Sequence, residues 1–415
     1  MRIGVVNMNW IRGKDLLINI SLILVGLFLA VVLTEIFLRI ILPLVEIRQF
    51  DVKNSEIFIA DPVLGFKIKA SSGFGHDQWG FKNPVQADYY PIVALGDSHT
   101  YGEMIEQNKN NEDVSWPAYL SKYLNKAVYN MGVAGYGTAQ YYALTDKIIS
   151  KKPKLVVLGF YIGNDIYDTY DIVYTYDFWN KFRDPNFIDK QHISTSNLGQ
   201  SQTLFSRLKR FIWKKSVFYK FLVDRTRIWR EKIGLTSPYF TGTNDWLHPP
   251  AGASLRFDKG EISTLFWNDH RLPGVDMSRR ENQEGMRLTK LFLGKMAEIF
   301  SDYGINFIIA IFPTKQNVYY DIIGYKAYNN NTFRRIVEND ELIKSEINLI
   351  CDKYKNVFCL DVLPFMKKKL LQGIPVYYQN INDHPNSDGY KVYAKSIADF
   401  IKENNLLNDN QYELD

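Results

Sequence analysis

The chain has 415 residues, 46% of them hydrophobic, and a formal net charge of +5. This length allows one large domain with insertions or two smaller domains. The mild charge argues against a nucleic-acid partner, since such proteins concentrate basic residues on one face. The two cysteines, Cys351 and Cys359, form no CxxC pair, and the sequence has no metal-ligand spacing. The sequence therefore predicts neither a bound metal nor another cofactor.

The N-terminal segment has the character of a membrane anchor. Residues 16–34 include no charged side chain, and a helix needs about 20 apolar residues to cross the hydrocarbon core. A cleavable signal peptide is the competing interpretation, but its apolar region is usually only about 7 to 15 residues. We therefore predict a retained transmembrane helix over 16–45.

The basic residues before this anchor set the expected orientation. They predict that segment 1–15 is cytoplasmic and that the rest of the chain is extracytoplasmic, in the periplasm or at the cell surface. In that compartment Cys351 and Cys359 can form a disulfide, and two buried free thiols are the equal alternative.

After the anchor, residues 46–87 are rich in turns and predict a stalk with short strands. The domain that follows, 88–405, contains five apolar runs: 92–95, 127–131, 155–162, 305–312 and 357–362. Continuous runs of Val, Ile and Leu are typical of parallel strands buried on both faces. Helical patterns separate several of these runs. The alternation predicts a doubly wound, three-layer α/β/α fold with a parallel sheet.

A long insertion, 166–282, separates the third and fourth predicted strands. Its length predicts a functional element or a lid. Part of it, 204–235, is basic and aromatic. Three interpretations of this part stay open: a solvated helix whose aromatic side chains pack on the domain, a helix on an anionic membrane surface, and a guide for an anionic glycan.

Polar residues and glycines follow the predicted strands, where sites form in an open α/β sheet. Ser98 follows the first strand, the glycine-containing segment 130–138 follows the second, and Asn164 follows the third. His384 precedes the last helical pattern. A serine nucleophile needs a base for its proton and donors for the oxyanion, and glycine permits close backbone approach to a substrate. These residues together predict an acyl-transfer site.

Four segments, "GDSHTYG", "NMGVAGYG", "GND" and "DHPN", resemble in order and spacing the four blocks of the SGNH, or GDSL-like, hydrolase superfamily. The resemblance covers roughly residues 88–405 and implies a flavodoxin-like sheet. It implies Ser98 as the nucleophile and His384 as the general base. It also implies an oxyanion hole made by the Ser98 and Gly135 backbone N–H groups and the Asn164 side chain. An anchor followed by such a domain resembles the membrane-tethered members found in bacteria.

The chain departs from this family at the acid of the triad. The family usually places an acid two or three residues before the histidine, where this chain has Asn382 and Ile381. Asp383 is the nearest acid and is our candidate for that role. A neighbouring side chain on an extended segment points the other way, so a dyad of His384 with Asn382 or with a backbone carbonyl is the alternative. We interpret His99 and Asp97 as structural, and we interpret Asp269 and His270 in "FWNDHRL" as unrelated to catalysis.

The sequence thus predicts a membrane-anchored, extracytoplasmic serine ester hydrolase. Its expected substrates are acyl esters, such as the O-acetyl groups of a surface polysaccharide or a lipid ester. An O-acyltransferase that acetylates a cell-surface glycan is the first alternative, because the same acyl-serine serves both reactions. A catalytically silent glycan-binding module is the second, and only the misplaced acid supports it.

Overall fold

The computed structural model describes residues 18–35 with gaps, 57–72, 75–84, 86–102, 113–187, 255–259 and 262–407. The chain divides into two compact units, Met1–Lys53 with Ile193–Thr241 and Asn54–His192 with Gly242–Asp415. The basic segment 204–235 and much of the predicted anchor lie outside the described residues. Among the residues that are described, no helix combines the length and apolar character needed to span a bilayer.

The second unit is an α/β domain. Its strands are β1 (Phe58–Asp61), β2 (Gly65–Ile68), β3 (Ile92–Gly96), β4 (Val128–Asn130), β5 (Leu155–Tyr161), β6 (Leu255–Lys259), β7 (Ile262–Phe266), β8 (Asn306–Phe312) and β9 (Val357–Asp361). Its helices are α1 (Ser98–Tyr101), α2 (Trp116–Leu124), α3 (Thr138–Ala143), α4 (Thr145–Ser150), α5 (Asp165–Thr175), α6 (Asn268–Val275), α7 (Arg280–Asp302), α8 (Lys315–Ile323), α9 (Tyr325–Tyr328), α10 (Asn331–Lys353), α11 (Leu363–Leu371) and α12 (Ser387–Glu403). A 3-10 helix covers Asp177–Phe182.

The central sheet has five strands in the order β4-β3-β5-β8-β9, and every pair is parallel. In chain order this is 2-1-3-4-5, which is the flavodoxin-like arrangement of a doubly wound fold. Each strand coincides with one of the five predicted apolar runs. The prediction of an α/β domain with a parallel sheet is confirmed.

Side chains of the sheet divide between two cores because successive residues of a strand point to opposite faces. Val157 and Ile308 face one core, which includes Trp116 of α2. Val156 and Ile309 face the other core. Helices α2, α8, α11 and α12 contribute to the first core and helices α3, α7 and α10 to the second. The sheet is therefore the middle of three layers.

The described residues 57–84 belong to this domain rather than to a separate stalk. The Asn83 side chain accepts a hydrogen bond from the Asn130 backbone N–H at 2.8 Å and donates to the Asn130 carbonyl at 3.1 Å. Ile68 and Phe81 are buried in the second core. These contacts pin the segment to β4.

The predicted insertion 166–282 contains ordered elements that the sequence patterns did not indicate. Helix α5 forms its start, and the antiparallel hairpin β6–β7 and helix α6 form its end. Phe257 and Phe266 of the hairpin are buried in the first core. Residues 188–254 lie outside the described part of the chain.

The two cysteines are joined. Cys351 in α10 forms a disulfide with Cys359 in β9, with their Cα atoms 5.8 Å apart. Of the two alternatives open from the sequence, the structure has the disulfide and not the free thiols.

Candidate active site

Ser98 and His384 meet at the carboxyl edge of the sheet. Strand β3 ends at Gly96, whose φ is +152°, and an added Cβ there would lie 2.2 Å from Thr100 Oγ1. The glycine therefore lets the chain turn sharply into α1, which begins with Ser98. His384 lies three residues before α12. Its Nε2 is 2.8 Å from Ser98 Oγ, so two residues 286 positions apart in the sequence lie within hydrogen-bond distance.

Asn382 orients the imidazole. Its Oδ1 is 2.8 Å from His384 Nδ1 and also accepts the His384 backbone N–H at 2.9 Å. Two donors converge on this atom, which is consistent with an oxygen rather than the amide nitrogen. The Nδ1 atom consequently carries the ring proton. Nε2 is left as the acceptor for the proton of Ser98.

The expectation that Asp383 orients His384 is corrected by the structure. Asp383 Oδ2 accepts hydrogen bonds from Arg271 Nη2 at 2.6 Å and Nε at 3.0 Å. Neighbouring side chains on an extended segment point apart, so the backbone that turns Asn382 toward the ring turns Asp383 away from it. The charge of Arg271 then compensates the buried carboxylate. The alternative of a histidine held by Asn382 is the arrangement present.

The three predicted oxyanion donors are placed as follows. The backbone N–H groups of Ser98 and Gly135 make no hydrogen bond to any described residue. Gly135 has φ +76°, and an added Cβ would meet only Phe66 Cζ, at 3.6 Å. Asn164 Nδ2 donates one hydrogen bond to Asp168 Oδ2 at 2.8 Å, which leaves its second hydrogen for a ligand.

Gly132, the neighbouring glycine not chosen from the sequence, has a different role. A Cβ on Gly132 would lie 2.3 Å from the Tyr101 backbone nitrogen. Its lack of a side chain therefore lets the loop after β4 pack against α1, the helix that carries the candidate nucleophile.

Aromatic rings surround the imidazole. His99 stacks on Tyr161, with ring centroids 3.8 Å apart, and its centroid is 4.7 Å from that of His384. Burial lowers the pKa of His384 to about 4, an effect that nearby Asp383 opposes and Arg271 reinforces. Burial and the proximity of His384 also hold the pKa of His99 well below its ordinary value. Both imidazoles are therefore neutral at pH 7, so His384 can accept a proton.

Asp97 and His270 each contact a residue close to them in the sequence. Asp97 Oδ1 accepts the His99 backbone N–H at 2.8 Å and so caps α1. His270 stacks on Trp267 with ring centroids 4.4 Å apart. The histidine that contacts Ser98 is His384.

Two residues near the site were missed from the sequence. Arg271 lies in the "FWNDHRL" segment that we set aside, and nothing in its local pattern indicates a partner 112 positions away. Lys315 is fully buried, and its Nζ donates to the carbonyls of Leu265 at 3.2 Å, Asn380 at 2.6 Å and Asn382 at 3.0 Å. Burial lowers the pKa of Lys315 to about 7. Its place just after the fourth predicted strand is a signal that could have indicated it.

Comparisons with known proteins agree with the sequence blocks. Residues 92–198 match the family model described as GDSL-like lipase/acylhydrolase, a range that includes Ser98, Gly135 and Asn164 but not His384. A comparison with curated proteins finds no match. A catalytic mutant of Axe2, an acetylxylan esterase from Geobacillus stearothermophilus, has 10% identity and a TM-score of 0.36, with 77% of this chain and 95% of that chain covered. A GDSL-like lipase from Bacteroides thetaiotaomicron has 10% identity and a TM-score of 0.31, with 75% and 88% covered. Sequence identities and TM-scores this low do not indicate the substrate of this chain. Over residues 92–198 this chain is therefore similar to the GDSL-like lipases and acylhydrolases.

Proposed function

We propose that this chain is a serine ester hydrolase in which Ser98 is the nucleophile and His384 the general base. The observation that carries the proposal is the 2.8 Å contact between Ser98 Oγ and His384 Nε2. The Asn382 side chain supports it by holding the tautomer in which Nε2 accepts a proton. A base that is neutral at pH 7 and within hydrogen-bond reach of a hydroxyl is what such a nucleophile requires.

In the proposed reaction Ser98 Oγ attacks the ester carbonyl carbon while its proton passes to His384 Nε2. The carbonyl oxygen becomes an oxyanion that the Ser98 and Gly135 N–H groups and the Asn164 amide stabilise. The bond to the alcohol then breaks, and Nε2 gives its proton to the leaving alkoxide. Water attacks the acyl-serine in the same way, which releases the acid and restores the hydroxyl.

The replacement Ser98→Ala tests this proposal. We expect aryl acetate turnover to fall on the order of 10⁴-fold or more, because the acyl-enzyme cannot form. Covalent labelling by a fluorophosphonate probe should disappear, and the melting temperature should be unchanged. Ser396→Ala is the matched control, since Ser396 is a buried serine whose hydroxyl donates to the Tyr393 carbonyl. A Ser98→Ala protein that still labels and turns over would disprove the assignment.

Water is the proposed acyl acceptor. Ser98 keeps 9% of its surface exposed and His384 is half-buried, so solvent can reach the acyl-serine. The proposed substrate class is acyl esters, including the O-acetyl groups of surface polysaccharide. Incubation with acetylated and deacetylated glycans separates the alternatives: hydrolysis releases acetate without an acceptor, whereas acetyl groups that appear on the deacetylated glycan would identify an O-acyltransferase.

We further propose that the segment 16–45 anchors the chain in a membrane with the domain outside the cytoplasm. The charge-free run 16–34 supports the anchor. The Cys351–Cys359 disulfide supports an oxidising compartment, because cytosolic thiols are normally kept reduced. A reporter enzyme fused after Asp415 should be active only outside the cytoplasmic membrane. Activity confined to the cytoplasm would reverse the proposed orientation.

A further inference from the structure

Arg271 connects the two loops that carry the proposed base and one proposed oxyanion donor. Its Nη1 donates to the Gly163 carbonyl at 2.7 Å. Its Nε and Nη2 donate to Asp383 Oδ2 at 3.0 and 2.6 Å. Gly163 directly precedes Asn164, and Asp383 directly precedes His384. One planar guanidinium therefore fixes the two loops relative to each other.

The surroundings of Arg271 suit this connecting role. Its side chain is 11% exposed and that of Asp383 is 9% exposed. The guanidinium carbon lies 5.2 Å from the centre of the Tyr161 ring, the same ring that stacks on His99. A buried ion pair contributes little net stability, because desolvation offsets the attraction. A rigid fork of N–H donors does, however, set the separation of the groups that it joins.

We propose that Arg271 is a positioning residue for the proposed ester hydrolysis, setting the placement of the Asn164 amide relative to the His384 imidazole. The inference rests on the proposed function. Arg271 acts through residues 163 and 383 and not on the reacting atoms. Because helix α6 belongs to the insertion and carries Arg271, this proposal also assigns a function to the insertion.

The test compares Arg271→Met and Arg271→Lys with a matched control, Arg335→Met, in the full chain. Arg335 Nη2 donates to Asp276 at 2.7 Å, and Asp276 is the C-cap residue of α6. The control thus removes an ion pair from the C-terminal end of the same helix without touching residue 163 or 383. Each protein is assayed for kcat and KM with an aryl acetate. Amide hydrogen exchange is measured for segments 162–165 and 381–385.

We expect Arg271→Met to lower kcat by about 100-fold and to change KM little, because a displacement of about 1 Å at a reacting centre can cost that much. Arg271→Lys should fall between it and the wild type, since a lysine keeps the charge but not the planar fork. Exchange should accelerate in both segments for Arg271→Met. Arg335→Met should leave kcat and both segments unchanged.

The pH dependence of kcat/KM distinguishes a positioning role of Arg271 from a general structural defect. Arg271 helps to lower the pKa of His384, and Asp383 opposes it. His99 of α1, whose ring centroid lies 4.7 Å from that of His384, stays neutral because burial and His384 hold its pKa well below the ordinary value. Loss of Arg271 should therefore move the acid limb of kcat/KM to higher pH. A merely structural defect would reduce the amplitude and leave the limb in place.

Three results would overturn the inference: equal kcat losses in Arg271→Met and Arg335→Met, an unmoved acid limb, or unchanged exchange in either segment. A different result would overturn the proposed function, namely a wild type that neither hydrolyses the ester nor reacts with the fluorophosphonate. The exchange data would then still decide whether Arg271 holds the two loops together.

Discussion

Replacing Asn382 by Asp tests how the neutral amide beside His384 affects the imidazole, at a position where an acid would be expected. The Asn382 oxygen accepts hydrogen bonds from the Nδ1 and the backbone N–H of His384. Its amide nitrogen makes no hydrogen bond to any residue that the structure describes, so an oxygen in its place loses no contact. The substitution therefore adds a negative charge beside the imidazole and changes little else.

The size of the effect follows from the distances. Two opposite unit charges about 4 Å apart attract by roughly 4 kcal/mol at an effective dielectric constant of about 20. Burying the new carboxylate offsets part of this gain. Opposite charges at such distances typically shift a pKa by about 1 to 3 units. Because the pKa of His384 is lowered to about 4 in the native protein, Asn382→Asp should raise it to between about 5 and 7.

The assay is kcat/KM for an aryl acetate as a function of pH. In the wild type the acid limb of kcat/KM is expected at a pH of about 4, the lowered pKa of His384. In Asn382→Asp the limb should move upward, and activity at neutral pH should be retained. The control Asn382→Leu removes the acceptor for Nδ1 and releases the tautomer, a change that can cost on the order of 10⁴-fold in kcat. An unmoved limb in Asn382→Asp, or a fully active Asn382→Leu, would refute the reasoning.

Two further predictions concern the neighbours of the nucleophile. Asn164→Ala should lower kcat by about 100- to 1000-fold with a smaller change in KM, and Asn164→Asp should be no better because a carboxylate repels the oxyanion. A near-normal kcat in Asn164→Asp would make Asn164 only a turn former. The pKa of His99 lies well below 6.5 in the folded protein. Below pH 6.5 the unfolded chain therefore binds a proton that the folded ring does not, and the stability of the wild type decreases as the pH is lowered. His99→Phe keeps a stacked ring but has no group that titrates. In urea unfolding, the free energy of unfolding of His99→Phe relative to the wild type should be larger at about pH 5 than at about pH 8. An equal difference at both pH values would contradict the prediction.

Much of the fold could be predicted because the sheet strands are continuous apolar runs. All seven residues of Leu155–Tyr161 are buried, so the sequence carries an unambiguous signal there. The hairpin β6–β7 was missed because exposed and buried positions mix in it, as in Leu255–Lys259 with one buried residue of five. Helix α6 was missed because it is short and contains Pro273.

The parts of the candidate site that depend on the order of strands and helices could be predicted from the sequence. Ser98 and His384 were found because each adjoins a recognisable element at the carboxyl edge of the sheet. Which side chain faces Nδ1 depends instead on a local turn, in which the Asn382 oxygen accepts the backbone N–H two residues on. The role of Arg271 depends on contacts between distant segments. No local pattern reports either of these choices.

The disulfide has a consequence for the exposed border of the sheet. Strands β4 and β9 are the outermost strands, and an outermost strand offers unpaired backbone groups to which another chain can add. Strand β4 has only three residues, so it offers few backbone groups to which another strand could pair. Strand β9 is longer, and the bond between Cys359 and Cys351 ties it to the helix packed beside it. Oxidation therefore ties this border strand covalently to α10, and a reducing environment would remove that tie.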